Sequence, residues 1–348
     1  MTTLRDIARE TGCSTATVSR ALNGAAHVDP KTRRRIEAAA TALGYRSNVL
    51  ARALRRHQSG TIGLVIPSLE KYNYAAAVRL LHDALSAEDY QLILCCHRDD
   101  PALELRALQS LADRQVDAIV HVPFDDAGAA ALLQLAEPLP IVELYRRSRA
   151  TDVDAVVGDD ERGGHDLAEH VLAAGHRRIA LVIGGAELST TKGRVAGFSR
   201  AVREAGVSAD DCPVFYGTSG LAWGQQVVDE LLAAADPPTA IITGSTQIAL
   251  GAMQQLVRAG AQIPRDVSFV AYSNADWCEL MSPPVTTYEI PQPEMGLMAA
   301  QLLLNHLRPS IDHDLQPRTV SFSGRLLVRA SVGAPRQYRP LRSGVLVG

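Results

Sequence analysis

From residue 61 onward, short apolar runs alternate with amphipathic stretches, and no other feature restricts the fold of this chain as strongly. The runs are TIGLVI (61–66), QLILCC (91–96), DAIVHV (117–122), PIVELY (140–145), AVVG (155–158), RIALVI (178–183), TAIIT (239–243) and VSFVAY (267–272). Between them, residues 191–205 align Val195, Phe198 and Val202 at helical spacing, and residues 160–174 align Leu167, Val171 and Ala174. Strands alternating with helices imply parallel sheets covered by helices on both faces. Eight strands are too many for one open sheet with ordinary connections, so two lobes are expected. In doubly wound sheets a ligand sits beyond the carboxyl ends of the strands, and two such lobes facing each other would enclose a small molecule.

The first 60 residues follow another pattern. They hold eleven Lys/Arg against four Asp/Glu, a net +7, whereas the rest of the 348-residue chain carries −10. A basic head on an acidic body predicts that the head meets a polyanion. Residues 3–10 (TLRDIARE) read as a short helix with Leu4, Ile7 and Ala8 on one side. Gly12 supplies the residue that turns with positive φ, and Ser14 is a good N-cap for a second helix with Val18, Ala21 and Leu22 inward. A third helix starts at Asp29 as N-cap with Pro30 behind it, repeats Ile36, Ala40 and Leu43, and stops at Gly44. Two short helices about a glycine turn make a helix-turn-helix.

The segments TLRDIARETGCSTATVSRALN, HVDPKTRRRIEAAATALGY and NVLARALRR resemble, without a gap to about residue 56, the DNA-binding head of the lactose-repressor/galactose-repressor family. The resemblance implies that the STATVSRA helix enters the major groove, with Thr15, Ala16 and Arg20 at base-reading positions. Ser14, Thr17, Ser19 and Asn23 match positions that contact the DNA backbone. The chemistry agrees: Arg20 offers guanine a bidentate fork, while the small hydroxyl side chains set register on phosphates. In NVLARALRR, Leu50 and Leu54 share one helical face, flanked by Arg55 and other arginines, on a peptide too short to be a stable helix by itself. The resemblance implies a hinge helix that folds on DNA, pairs with its dimer mate and drives Leu54 between base pairs of the minor groove.

Residues 61 to about 330 resemble the effector-binding core of the same family, itself similar to periplasmic sugar-binding proteins. TIGLVIP, RQVDAIV, GHRRIALVIG, GRVAGFSRAV, IALGAMQQL, IPRDVSFVAY and SPPVTTYEIPQPEMG carry this likeness. It implies that Arg194 meets bound ligand and that Tyr74, with Asn73 beside it, lines the pocket. Tyr145, the Ser245-Thr246 pair and Ser273 stand where sugar-responsive members often carry carboxylates or an Asn-Asp pair. Without those acids Arg194 is expected to lack a partner and to suit an anionic ligand. A sugar acid or sugar phosphate and a neutral sugar therefore both stand as effector classes.

The five cysteines (13, 95, 96, 212 and 278) form no C-x-x-C pair and have no metal-like spacing with histidine, so they read as structural thiols. His165 and His170 are five apart, against the three or four that put two ligands on one helix face. His97-Arg98-Asp99-Asp100 reads as a polar loop, and Gly184-Gly185 as a turn without phosphate-loop spacing. No nucleophile elbow or catalytic triad is visible, so neither enzyme activity nor a cofactor or metal is expected. No apolar run approaches the roughly 20 residues that span a bilayer. The charged start MTTLRDIARE is no secretory leader, and a cytoplasmic protein with no membrane partner is expected. Residues 333–348 read as a flexible tail without the leucine heptads that join some family members into tetramers.

The expected organisation is α/β: an all-α helix-turn-helix head (1–46), a hinge helix and linker (47–60), and a two-lobed periplasmic-binding-protein-like core of doubly wound parallel sheets (61–332). The expected function is an effector-controlled transcriptional repressor that binds a near-palindromic double-stranded operator as a homodimer. The competing reading is a metabolite receptor that does not bind DNA.

Overall fold

The computed structural model describes residues 2–22, 28–45, 59–70, 72–132, 139–308 and 316–335. The chain divides into two compact units, residues 1–59 and 60–348.

The first unit holds three helices, α1 (Leu4–Thr11), α2 (Thr15–Leu22) and α3 (Pro30–Ala42). Each begins on a local signal. The Asp6 carboxylate accepts the Thr3 N–H at 2.9 Å, Ser14 Oγ accepts the Thr17 N–H at 3.1 Å, and Asp29 accepts the Thr32 N–H at 3.0 Å. Gly12 turns the chain at φ 64° and Gly44 at φ 60°. Ile7, Val18, Ala21, Ile36 and Ala40 form the core where the helices meet. Leu43 does not join it. The helix ends at Ala42, and Leu43, its C-cap, is 37% exposed.

The second unit contains two six-stranded sheets of the same design. The first is ordered β11-β5-β4-β3-β1-β2 and the second β12-β10-β9-β8-β6-β7. The first sheet comprises β1 (Thr61–Ile66), β2 (Gln91–Cys96), β3 (Ala118–His121), β4 (Ile141–Tyr145), β5 (Asp154–Gly158) and β11 (Thr319–Phe322). The second comprises β6 (Ile179–Ile183), β7 (Val214–Tyr216), β8 (Ala240–Thr243), β9 (Ser268–Tyr272), β10 (Thr286–Glu289) and β12 (Arg325–Leu327). All pairings are parallel except β10 with β12. Central strands such as β1, β4, β6 and β9 are buried almost throughout, because helices cover both faces.

The covering helices are α4 (Tyr72–Ser86), α5 (Pro101–Asp113), α6 (Asp126–Leu132) and α7 (Asp160–Ala173), followed by α8 (Ser189–Glu204) and α9 (Leu221–Ala233). Then come α10 (Thr246–Arg258), the short α11 (Trp277–Leu280) and α12 (Gln292–Leu307). The chain passes between lobes three times: β5 into α7, β10 into α12, and β11 into β12. Helix α7 packs on α8 in the second lobe, whereas α12 returns to pack on α4 in the first.

All eight expected strands are present. The strands β7, β10, β11 and β12 were not anticipated, being only three or four residues long. The polypeptide is still tied down past residue 332, where the Gly333 carbonyl accepts from His176 Nε2 at 2.8 Å. Residues 336–348, expected to be flexible, lie outside the described residues.

Candidate functional site

Helix α2 turns Val18 and Ala21 into the head's core, so its opposite face is directed outward. Thr15, Ala16 and Arg20 are exposed on that face, and Ser19 beside them is half-buried. Ser14 and Thr17 hold each other through their hydroxyls at 2.8 Å while Ser14 caps the helix. A short exposed helix with one long cation and small hydroxyl neighbours has the form of a groove-reading element. Asn23, Leu50, Leu54 and Arg55 lie outside the described residues.

In the second unit the expected ligand position is the cleft at the carboxyl ends of both sheets. Each sheet orders its first five strands 2-1-3-4-5 in its own sequence, so the chain reverses direction between β1 and β3 and again between β6 and β8. A cavity of about 60 Å³ lies at these crevices. Tyr74, Tyr145 and Arg146 line it from the first lobe. Arg194, Thr246 and Gln247 line it from the second.

Arg194 departs from the sequence expectation, because it is paired. Its Nε and Nη2 both reach Asp160 Oδ1 at 2.8 Å, and its Nη1 donates to the Gly244 carbonyl. The guanidinium also lies 3.6 Å above the centre of the Tyr272 ring, and the Tyr272 hydroxyl donates to Asp160 at 2.9 Å. Burial pushes the Asp160 carboxyl above its ordinary pKa, against the pull of Arg194 and Tyr272. The acid comes from the first residue of α7, far from the three positions where an acid was sought. Two close backbone approaches where α7 crosses α8 make the pairing geometric. A Cβ on Gly164 would stand 2.1 Å from the Arg194 carbonyl, and one on Gly197 would stand 1.8 Å from that of Glu161. Only glycine lets α7 and α8 approach closely enough to bring Asp160 to Arg194.

The second arginine of the cavity is compensated as well. Arg146, which the sequence reading passed over, is buried and donates to Asp99 Oδ1 at 2.7 Å and to the Pro123 carbonyl at 3.3 Å. Asp99 belongs to the HRDD segment expected to be a plain polar loop. It is a loop as expected, but not a plain one: His97 is fully buried, and Arg98 and Asp99 are held at φ 57° and 56°. Tyr145, at φ 65°, is likewise left-handed where its strand ends. Strain of this kind is retained where surrounding packing demands it, commonly at ligand sites.

The remaining expected residues divide. Tyr74 and Tyr145 meet edge to face, with centroids 5.1 Å apart, and both line the cavity. Thr246 also lines it, and its buried hydroxyl has no partner among the described residues. Ser273 does not line it. Its N–H bonds the Tyr288 carbonyl at 2.8 Å, which holds it against β10 under the sheet end. The side chain of Asn73 lies outside the described residues. Asp160, Arg146 and Gln247 were missed, although each follows directly or closely on a strand's carboxyl end; applying that rule to every strand would have found them.

His165, Asp166 and Glu169 present ligand atoms within 4.8 Å of one another on α7. His165 is already held there by Glu204 at 2.8 Å. His165 and Asp166 are half-buried and Glu169 is exposed.

Residues 3–48 match the family described as bacterial regulatory proteins, lacI family, and residues 168–332 match the periplasmic binding protein-like domain. The HTH-type transcriptional regulator DegA of Bacillus subtilis is 31% identical over 298 residues, covering 85% of this chain and 88% of its own. The HTH-type transcriptional repressor PurR of Photobacterium profundum is 28% identical over 333 residues, covering 95% of this chain and 99% of its own. Among solved structures, the Lac repressor dimer bound to operator and the anti-inducer ONPF has a TM-score of 0.84 at 26% identity, covering 96% of this chain and 99% of the other.

Proposed function

Because this chain belongs to the lacI family of bacterial regulatory proteins, we propose that it represses transcription from a near-palindromic operator as a homodimer and that a small uncharged ligand between its lobes sets its hold on DNA. The family's function is DNA-binding transcriptional regulation, with a ligand-binding domain behind the DNA-binding head. The observation that carries the reading is the length of the match to a named repressor, 95% of this chain and 99% of that protein, which takes in head and body together. A metabolite receptor without DNA-binding activity would leave the outward face of α2 without a purpose.

The two halves of the dimer would present two α2 helices to successive major grooves, and protein symmetry would be mirrored in the site. Arg20 would read guanine while Thr15 and Ala16 accept methyl or single hydroxyl contacts; Ser14, Thr17, Ser19 and Asn23 would hold the backbone. Leu50, Leu54 and Arg55 would serve the minor groove. The protein would work in the cytoplasm, beside its DNA, and would catalyse no reaction. Among the described residues, no helix is long and apolar enough to cross a membrane.

The pairing of charges in the cleft supports an uncharged ligand. Asp160 compensates Arg194 and Asp99 compensates Arg146, so no guanidinium there awaits an anion. Aromatic rings, the Thr246 hydroxyl and the Gln247 amide suit a neutral, hydroxyl-bearing ring better than a sugar acid or phosphate. The test pairs thermal shift against neutral sugars, sugar acids and sugar phosphates with a gel shift on the DNA upstream of the protein's own gene. A neutral sugar that raises Tm and changes DNA affinity is the expected result, with a coupling of about 1–3 kcal/mol. A protein that never shifts DNA would overturn the regulator reading, and a response to anions alone would overturn the charge argument.

A further inference from the structure

Besides the chain crossings, two hydrogen bonds tie one lobe directly to the other. The Arg147 N–H, in the loop after β4, donates to Ser189 Oγ at 3.1 Å, and Ser189 opens α8 in the second lobe. On α10, the Gln247 amide donates to the Glu70 carbonyl at 3.0 Å, in the loop that follows β1. Each bond joins a side chain of the second lobe to backbone of the first.

The loop that presents the Arg147 N–H is held firmly from within its own lobe. Glu143, buried in β4, accepts the Ser148 N–H at 2.9 Å and the Thr151 hydroxyl at 2.7 Å. Asp126 accepts the Ser148 hydroxyl at 3.0 Å and the Arg149 N–H at 2.8 Å. Carboxylates bonded to backbone in this way fix the loop, so its N–H meets Ser189 with little further ordering to offset. Charge adds to the contact. The Arg149 N–H and the Ser148 hydroxyl hold the Asp126 carboxyl below its ordinary pKa, and Lys192, on α8 of the other lobe, pulls the same way.

The lobes closed in this way leave little room. The inner cavity measures about 60 Å³, against the roughly 300–1,000 Å³ of small-molecule sites. Gln247 stands on its wall and on that of an adjoining chamber of about 860 Å³, so the Gln247–Glu70 bond lies where the two spaces meet.

We propose that the Arg147–Ser189 and Gln247–Glu70 bonds are a clasp: they hold the lobes shut through contacts of the chain itself, and a molecule enters the inner cavity only after they release. Breaking one tie is expected to raise the open fraction about two- to tenfold, the effect of one hydrogen bond. The clasp belongs to the body of the protein, and its test needs neither DNA nor an effector.

Amide hydrogen exchange of the full-length protein, followed by mass spectrometry, provides that test. Thr246 and Gln247 open α10, where backbone N–H groups lack helical partners, so their protection depends on keeping water out of the cleft. Ser189→Ala removes a hydroxyl that lines neither the inner cavity nor the adjoining chamber, and α8 has no side-chain cap to lose. Exchange over residues 244–248 is expected to run about two- to tenfold faster in Ser189→Ala than in the wild type. It is expected to return toward the wild-type rate in Ser189→Thr, which keeps the hydroxyl. Acceleration confined to residues 146–149 and 188–190 would overturn the clasp, because the tie would then act only locally. Equal exchange in the wild type and Ser189→Ala, or equal acceleration in Ser189→Ala and Ser189→Thr, would overturn it as well.

Discussion

Arg20 and His97 illustrate two different demands on single side chains. Arg20 is exposed on the outer face of α2, where a bidentate guanine contact would contribute about 1–3 kcal/mol of discrimination. Arg20→Ala is expected to relax preference at one base position of each half-site, with folding unchanged; a binding-site selection experiment reads this directly. His97 is buried: its Nε2 donates to the Val122 carbonyl at 3.0 Å, and its Nδ1 has no partner among the described residues. Burial lowers its pKa from 6.5 to about 4, since a second N–H would have nothing to meet. The folded pKa is depressed, so the stability it contributes is present above 6.5 and is lost as pH falls toward 4. Urea melts between pH 7 and 4 should show this loss, and His97→Gln, whose amide can still donate to Val122, should flatten it. Among the site residues, sequence reasoning placed Tyr74, Tyr145, Thr246 and Arg194 in the cleft but misjudged the partner of Arg194. Asp160 is 34 residues away from Arg194, a separation at which sequence carries no signal of contact.

At the scale of elements, the crossing of α7 and α8 positions the cleft's central ion pair. Helices normally pack 8–10 Å apart, and a closer approach requires side chains to be missing where the backbones meet. Gly197 provides this, with the Glu161 carbonyl where its Cβ would lie. Gly197→Ala should therefore push the helices apart and destabilise the body by about 1–3 kcal/mol or more. It should also weaken binding of the effector, because Arg194 and Asp160 are carried on the two displaced helices; thermal unfolding and calorimetry measure the two effects. The long central strands were legible because burial on both faces makes them continuously apolar. The strands β7, β10, β11 and β12 were not, since edge or short strands need little apolar sequence and owe their conformation to a neighbour's unpaired backbone groups. Residues 47–60, proposed as a hinge, are a different case: their arginines and two leucines are plain in sequence, and Leu54→Ala is expected to weaken operator binding while leaving ligand affinity nearly unchanged.

For the whole molecule, the +7 of the first 60 residues against −10 in the remainder predicts DNA binding dominated by phosphate contacts. Operator affinity measured from 50 to 200 mM salt should fall steeply, and sedimentation should show a dimer. Salt-independent binding would contradict the placement of the basic head on DNA. The sequence alone determined the helix-turn-helix, the two-lobed α/β class and the face of α2 that is turned outward. These depend on caps, turns and periodicities read within a few residues, and a local signal survives in a linear string. The tertiary structure alone decided that both arginines in the cleft are paired with carboxylates. It also decided that the polar loop after β2 is a wall of the site. Charge pairing and cavity shape are set by residues brought together from distant strands, and burial makes those pairings obligatory once the lobes have formed.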